Sequence, residues 1–416
     1  MSVAVVGGGV VGLCTAWSLQ QRGVEVHIID AGTVGHGASA VNAGWITPSL
    51  STPLAAPGII RTGVQQALKP HGALVIRPSL DLSWSKWLWK FRAATSRNNY
   101  VYGVKSLMRL NDRTLDLFDA LAADGVEFEM HKAGILALAR DKAHMAWFSQ
   151  LFAELVPLGF KGSISELSGR EIREIDPAVG SVVSAGALTS IDRHVSPTSL
   201  TAGLAVRLRK AGVRITENAP VREIRPEGKA WRVTTAQESV SASAVVVALG
   251  AHINSLLGQV GVRLPVFGAK GYSIDLKGYG QTPKHALYLM EPKLGASPLN
   301  GDRLRIAGVF ELPGKDSRPS FARTRQITED ALAYLQDWVP AEAGWEGKGT
   351  AGLRPATPDS LPFLGPVPNH DGLFVATGHG MLGLTLAPAS GELIADMIVE
   401  HKVPESALPF QLAGRA

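Results

Sequence analysis

The sequence contains one cysteine, Cys14, among its 416 residues. A single thiol cannot form an internal disulfide, and it cannot build the thiolate cluster that a zinc or iron–sulfur centre needs. We therefore expect no metal site, and the absence of disulfides favours a cytoplasmic protein.

The sequence also lacks a strong charge of one sign and a long uninterrupted apolar run. Lys and Arg total 41 against 36 for Asp and Glu, which gives a net charge of +5 without a basic block. This balance predicts no nucleic-acid partner, although a mildly basic face leaves peripheral contact with the inner face of an anionic membrane open. Glycines interrupt the apolar stretches 3–14 and 372–389, and the second also contains His379 and Pro388. We expect neither a signal sequence nor a membrane span there.

Two kinds of periodicity divide the chain. Residues 3–6, 10–22 and 24–29 read as strand, helix and strand, and the C-terminal end returns to a strand at 373–377 and a helix at 384–400. Antiparallel strands are predicted between them, at 266–276, 287–290 and 304–309. Other predicted elements are helices at 83–121, 142–155, 197–210 and 323–338, and strands at 134–139 and 244–249. The fold class predicted is α/β plus α+β, with a Rossmann-like nucleotide-binding domain and a discontinuous antiparallel-sheet domain.

The glycines at the first strand–helix junction form a dinucleotide fingerprint. Gly7, Gly9 and Gly12 follow the G-x-G-x-x-G spacing, and Asp30 ends the second predicted strand. The first glycine permits the tight turn, the second lets the backbone approach a pyrophosphate, and the third lets helix and strand pack closely. Asp30 is placed to accept hydrogen bonds from the adenosine ribose. The fingerprint alone does not distinguish FAD from NAD.

Further segments along almost the whole chain carry a family resemblance. They are residues 37–44 followed by Pro48, and residues 55–58, 76–78, 266–273, 352–359 and 377–380. Together they resemble the bacterial D-amino acid dehydrogenases, which belong to the D-amino acid oxidase and glycine oxidase superfamily of FAD-dependent enzymes.

The resemblance implies FAD as the cofactor and a small amino acid or amine as the substrate, with hydride transfer from the α-carbon to the flavin. The cofactor-binding residues implied, beyond the fingerprint, are Ser39, Asn42, Ala43, Gly44, Gly250, Gly378, His379, Gly380 and Gly383. The catalytic residues implied are Arg354, Tyr272 and Lys270. Arg354 matches the residue that binds the substrate carboxylate, a role that suits the guanidinium fork. Tyr272 matches a residue near the flavin face, and Lys270 reads equally as an ion-pair partner or as a group that assists the electron acceptor.

The resemblance also suggests domain boundaries and a non-covalent flavin. We expect the FAD-binding domain at 1–80, 185–260 and 345–416, and the substrate domain at 81–184 and 261–344. Sarcosine oxidases of this superfamily attach flavin through a cysteine at the position of Gly352, so covalent attachment at that position is excluded.

Several alternatives stay open from the sequence. The electron acceptor is a quinone or oxygen, and the enzyme is a D-amino acid dehydrogenase or an oxidase of secondary or N-substituted amino acids, such as imino acids, sarcosine or glycine. The alternatives from other functional classes are a non-catalytic nucleotide-binding subunit and an NAD-dependent dehydrogenase. The oligomeric state is not predicted.

Overall fold

The computed structural model describes residues 1–67, 72–77, 79–314 and 316–415, so Pro78 of the 76–78 motif lies outside the described residues. The helices described are α1 (Val10–Gln21), α2 (Ile59–Ala67), α3 (Leu82–Ala94), α4 (Arg97–Asn111), α5 (Thr114–Ala123), α6 (Lys142–Leu155), α7 (Gly169–Ile175), α8 (Pro197–Lys210), α9 (Asn254–Leu257), α10 (Phe321–Leu332) and α11 (Gly383–Glu400). The strands described are β1 (Ser2–Val6), β2 (Glu25–Ile29), β3 (Trp45–Ile46), β4 (Leu74–Ile76), β5 (Met130–His131), β6 (Ile135–Ala139), β7 (Ile164–Ser168), β8 (Ala185–Thr189), β9 (Arg193–Val195), β10 (Arg214–Thr216), β11 (Glu223–Glu227), β12 (Ala230–Thr234), β13 (Ser239–Ala242), β14 (Ala244–Val247), β15 (Phe267–Tyr279), β16 (Ala286–Leu289), β17 (Leu294–Leu299), β18 (Arg303–Leu312), β19 (Val339–Pro340), β20 (Thr350–Ala356), β21 (Phe363–Pro366) and β22 (Leu373–Thr377).

The first sheet has the strand order β10-β2-β1-β14-β22-β21 and is parallel except for the β21–β22 pair. Helices α1, α8 and α11 pack together in one layer on this sheet. Strands β1 and β14 are buried on both faces, which explains why their sequences consist almost entirely of Val and Ala.

The second sheet has the order β19-β15-β18-β17-β16-β6-β8-β7, with β20 paired to β15 and β4 paired to β18. It is antiparallel apart from the β16–β6 and β18–β4 pairs. Two smaller sheets, β11-β12-β13 and β3-β9-β5, complete the strand pairing of the described residues.

Two predicted helices are shorter than the sequence pattern suggested. The predicted helix 83–121 is three helices, because Ser96 adopts an extended conformation and its side chain accepts the N–H of Asn99 to begin α4. The apolar stripe continues across the breaks between the three helices, so the periodicity of the sequence predicted one continuous helix. The predicted helix 323–338 ends at Leu332, and Tyr334 then turns its carbonyl to the N–H of Gly180.

The predicted domain boundaries stay a prediction. Three strands inside the predicted nucleotide-binding segments, β4, β8 and β20, lie in the second sheet. Among the described helices, none combines the length and apolar content that crossing a membrane requires.

Candidate active site

The glycine fingerprint forms the turn between β1 and α1. Gly7 has a φ of +108°, and a Cβ atom there would lie 2.5 Å from the carbonyl oxygen of Ala248. A Cβ atom at Gly12 would lie 1.9 Å from the carbonyl oxygen of Gly7. Only glycine satisfies both positions, so the sequence-based reason for the first and third glycines holds in the structure.

Asp30 and Ser39 both reach this turn. The Asp30 carboxylate accepts the N–H of Gly8 at 2.6 Å and the N–H of Gly32 at 2.8 Å. The Ser39 hydroxyl accepts the N–H of Val10, the first residue of α1, at 2.9 Å. The structure therefore brings the glycine turn, Asp30 and Ser39 together at the C-terminal end of β1.

The segment that contains Asn42, Ala43 and Gly44 is held by its own turn and by the second sheet. The Asn42 side chain accepts the N–H of Gly44 at 2.7 Å, and the Ser297 hydroxyl donates to the carbonyl of Ala43 at 2.7 Å. Gly44 has a φ of +80°, and a Cβ atom there would lie 2.2 Å from the carbonyl oxygen of Val195. This glycine is required by close packing against β9.

Arg305 ties the same segment to the sheet through one guanidinium group. It forms a bidentate ion pair with Asp275, with distances of 2.6 and 2.8 Å, and donates to the carbonyls of Ala40 at 3.2 Å and Asn42 at 3.3 Å. Arg305 is buried, and its charge is balanced by Asp275 rather than by solvent.

The junction between β22 and α11 is a second glycine turn. Gly378 has a φ of +84°, and the N–H of Gly380 donates to the carbonyl of Pro355 at 2.8 Å. Helix α11 begins at Gly383 and has no acidic residue in its first turn. Its N-terminal end favours a neighbouring negative charge.

The His379 side chain points away from this turn. It is buried, with Nε2 3.0 Å from the Ser390 hydroxyl inside α11, and burial lowers its pKa to about 3. His379 is therefore neutral at physiological pH, and only its backbone belongs to the turn.

Arg354 lies on β20 directly opposite Ala269 on β15, so both side chains project from the same face. We call this side of the second sheet, which carries Tyr288, Gly271, Gly295, Gly352 and Arg354, the site face. It is directed at the 38–46 segment. A Cβ atom at Gly352 would lie 3.2 Å from Val41 Cβ, and one at Gly295 would lie 2.7 Å from the Trp45 ring.

The Arg354 guanidinium has no carboxylate within ion-pair distance in the part of the chain that the structure describes. Its Nη1 atom donates to the carbonyl of Val309 at 2.6 Å, and the Phe310 ring lies 5.9 Å from its Cζ atom. Burial lowers its pKa to about 10, which still leaves it charged at neutral pH. A partly buried cation without a counter-ion is a suitable receptor for a substrate carboxylate.

Val309 is strained where it contacts Arg354. Its φ is +65°, which a β-branched residue rarely adopts, and it sits where the β15–β18 register shifts between Lys270 and Tyr272. The bulge turns the Val309 carbonyl toward the guanidinium. Backbone strain of this kind clusters at ligand sites.

Lys270 and Tyr272 do not join Arg354. Because side chains alternate along a strand, they project from the face of β15 opposite to the site face. The Lys270 ammonium pairs with Asp316 at 3.0 Å, and the Tyr272 hydroxyl donates to Glu311 at 3.4 Å. Burial and Glu311 raise the pKa of Tyr272 to about 12. The two side chains therefore do not share a face with Arg354, and their catalytic roles stay a prediction.

The match to known proteins extends over nearly the whole chain. Residues 2–397 match the family described as FAD dependent oxidoreductase, or DAO. The chain belongs to this family. The predicted family and fold class are thereby confirmed, as are an FAD-dependent oxidoreductase and FAD as its cofactor.

Individual members of the family are similar to this chain over almost their full length. The D-amino acid dehydrogenase of Sinorhizobium medicae is 30% identical over 421 residues, covering 99% of each chain. The glycine oxidase structure from Geobacillus kaustophilus has a TM-score of 0.77 at 23% identity and covers 100% of this chain and 98% of its own. The iminodiacetate oxidase structure from Chelativorans has a TM-score of 0.74 at 20% identity and covers 98% of both.

The residues present fit FAD. Cβ atoms at Gly250 and Gly380 would meet no protein atom within 4 Å, so open space borders both backbones. Cβ atoms at the fingerprint glycines would instead contact other protein atoms. The Thr377 hydroxyl donates to the carbonyl of Gly250 at 2.9 Å and so links the two open turns. The adenosine half would bind at the α1 turn with Asp30, and the flavin would lie beside the open turns and the site face.

Sequence reasoning missed Arg305, Val309 and the aromatic pair Trp45 and Tyr288. Trp45 donates to Ser297 at 2.9 Å, and its ring lies 5.8 Å from the Tyr288 ring. The only sequence signal was position, since Trp45 directly follows residues 37–44, several of which the resemblance implies as cofactor-binding. Arg305 and Val309 become recognisable only through strand register.

Proposed function

We propose that this enzyme oxidises the carbon–nitrogen bond of a small amino acid, as a D-amino acid dehydrogenase does, with Arg354 as the receptor for the substrate carboxylate. The observation that carries the proposal is the partly buried Arg354 guanidinium, which has no acidic partner among the described residues and projects from the face directed at the 38–46 segment. The names of the similar full-length enzymes agree with this chemistry.

When bound, FAD supplies the hydride acceptor. The Arg354 fork holds the carboxylate and so orients the α-carbon. The N-terminus of α11 would stabilise negative charge on a flavin bound beside it. His379 is neutral and buried, and Tyr272 faces away, so neither is assigned as a base. The substrate amine therefore loses its proton to solvent before the hydride leaves.

Anaerobic reduction tests this proposal. The purified yellow enzyme is mixed with a panel of D-, L- and N-substituted amino acids, and flavin absorbance is followed. We expect D-amino acids to bleach the flavin fastest. Faster bleaching by secondary or N-substituted amino acids would assign the imino acid or glycine oxidase type instead. A flavin that no amine reduces would leave only a nucleotide-binding role.

We also propose that the FAD is dissociable, because Gly352 replaces the cysteine position of covalent attachment. Acid precipitation should release the yellow colour into the supernatant. Colour retained in the pellet would contradict the proposal.

For the electron acceptor, we propose a membrane quinone reached through peripheral contact. The outer surface of α3 supports this, because Leu82 and Trp89 are exposed beside Lys86 and Arg92, a combination suited to an anionic lipid surface. In a flotation assay, the wild type should rise with phosphatidylglycerol vesicles, and a variant with Leu82→Ser and Trp89→Ser should not. Rapid reoxidation by oxygen with no vesicle binding would favour an oxidase.

A further inference from the structure

Three side chains that can ligate a metal meet where the N-terminus of α6 packs against the turn after β16. Asp141 caps α6, His144 lies in its first turn, and Glu291 is the second residue after β16. One nitrogen or oxygen atom of each lies within 4.8 Å of the corresponding atoms of the other two. The sequence-based expectation of no metal site considered thiolate ligands, whereas this cluster offers one imidazole and two carboxylates.

The distances within the cluster match the spacing of ligands around one ion. His144 Nδ1 lies 2.9 Å from Asp141 Oδ2 and 3.5 Å from Glu291 Oε1. Zinc binds histidine nitrogen and carboxylate oxygen tetrahedrally at about 2.0–2.2 Å, so two ligand atoms of one ion stand about 3.3–3.6 Å apart. Small adjustments of the side chains therefore place the three atoms around one ion and leave a fourth position for water.

Both carboxylates are already oriented by contacts outside the three ligand atoms. Asp141 Oδ1 accepts the backbone N–H of His144 at 3.0 Å. Glu291 Oε1 accepts the N–H of Arg140 at 2.8 Å, and its other oxygen accepts the Tyr334 hydroxyl. Outer contacts of this kind fix the orientation of ligands in metal sites and strengthen binding. The carboxylates are thus held in place before an ion binds.

Neighbouring positive charges limit the affinity of this cluster for a cation. The Arg140 guanidinium stands 4.3 Å from the centroid of the Tyr334 ring, and Lys293 interacts electrostatically with Glu291. The positive end of the α6 dipole also opposes a cation. We therefore expect binding in the micromolar range, weaker than at structural zinc sites with four protein ligands.

We propose that Asp141, His144 and Glu291 bind one divalent transition-metal ion of the zinc class, and that this ion clamps α6 to the β16–β17 turn. Imidazole together with carboxylates suits zinc, whereas magnesium and calcium prefer oxygen ligands alone. The clamp bears on the site face, because the Phe148 ring of α6 lies 6.3 Å from the ring of Tyr288 on β16. The inference does not depend on the substrate of the enzyme.

Calorimetric titration of chelator-treated holoenzyme with Zn²⁺ tests the site directly. The wild type should bind one ion that Asp141→Asn, His144→Asn and Glu291→Gln each lose or bind far more weakly. Tyr334→Phe, which removes only the outer contact to Glu291, should weaken binding by about ten-fold, and the three ligand variants by more than that. His401→Asn is the matched control, because His401 is exposed and its φ of +52° suits asparagine.

Thermal unfolding gives a second readout that does not involve turnover. Saturating Zn²⁺ should raise the Tm of the wild type and of His401→Asn relative to chelator, because an ion that binds only the folded state stabilises it. Glu291→Gln should lose this rise. The same stoichiometry and Kd in the wild type and all three ligand variants would overturn the site, and the contacts would then be those of a His144 ion pair alone. Mg²⁺ binding as tight as Zn²⁺ binding would overturn the assigned class of ion.

Discussion

The Arg354 guanidinium occupies the space beside Gly271 in which a side chain would otherwise stand, since a Cβ atom at position 271 would lie 2.0 Å from Arg354 Nη1. Gly271 on one strand and the Val309 carbonyl on the next therefore fix the guanidinium from two sides.

Gly271→Ala should displace the guanidinium without removing its charge. Misplacement of a binding group by about 1 Å costs on the order of 100-fold in rate, so kcat/KM for a carboxylate substrate should fall by about that factor. Gly347→Ala is the control, because its Cβ atom would meet nothing within 4 Å. Normal kinetics in a folded, yellow Gly271→Ala variant would show that the guanidinium is not held in this way.

Arg354→Ala should leave FAD content unchanged and cripple turnover of carboxylate substrates. Removing one partner of a desolvated charge pair costs roughly 2–5 kcal/mol, or about thirty-fold to several thousand-fold in kcat/KM. Arg354→Lys should recover only part of the lost kcat/KM, because an ammonium cannot form the bidentate fork. The matched measurement uses the corresponding amine without a carboxylate, and its kcat/KM should be almost the same in the variant and the wild type. Wild-type efficiency toward the amino acid would make Arg354 structural.

Arg305→Met should weaken FAD binding. The substitution removes the donors to the carbonyls of Ala40 and Asn42 and leaves Asp275 without its partner. Hydrogen bonds to charged groups contribute about 1.5–3 kcal/mol, so the Kd for FAD should rise roughly 10- to 150-fold in a titration of apoenzyme. Arg170→Met, which removes an exposed ion pair with Glu174, is the control. An unchanged Kd would mean that the 38–42 segment keeps its conformation without Arg305.

The rate of flavin reduction should rise with pH. Hydride loss from the α-carbon requires the neutral amine, and an ordinary amine is largely protonated at neutral pH. Because no base is assigned in the site, the rate should follow the ionisation of the substrate. Stopped-flow reduction from pH 6 to pH 10 at saturating substrate measures this. A flat profile would point to a base elsewhere in the protein.

Asp192 should make the stability of the fold depend on pH. It is fully buried, accepts hydrogen bonds from Ser49 and from Thr189, and has a pKa raised by burial from 3.8 to about 6. The folded state therefore binds more protons than the unfolded state, and stability falls as pH rises from about 4 through 6.

The matched variant for this effect is Asp192→Asn, which cannot ionise. Its free energy of unfolding minus that of the wild type should be about 1–2 kcal/mol larger at pH 7.5 than at pH 5, because the wild type loses stability as Asp192 ionises. Thermal unfolding of both proteins at the two pH values measures the difference. The same relative stability at both pH values would mean that Asp192 titrates near its ordinary pKa.

Local sequence determined the nucleotide-binding elements. The spacing of Gly7, Gly9 and Gly12 and the apolar runs 3–6 and 24–29 are local signals, because the turn and the strand–helix packing involve residues close in sequence. Helix 142–155, helix 197–210 and strand 373–377 were predicted with the bounds that the structure has, and for two of them Asp141 and Ser196 cap the N-terminus.

Tertiary structure alone decided which side chains share a face. Lys270, Gly271 and Tyr272 form one motif in the sequence, but the alternation of a strand places only Gly271 on the site face. Val309, which contacts Arg354, and Arg305, which contacts the 38–42 segment, both lie on β18, and only strand register brings β18 beside β15. Register depends on contacts between residues far apart in the chain, and no local pattern of residues encodes it.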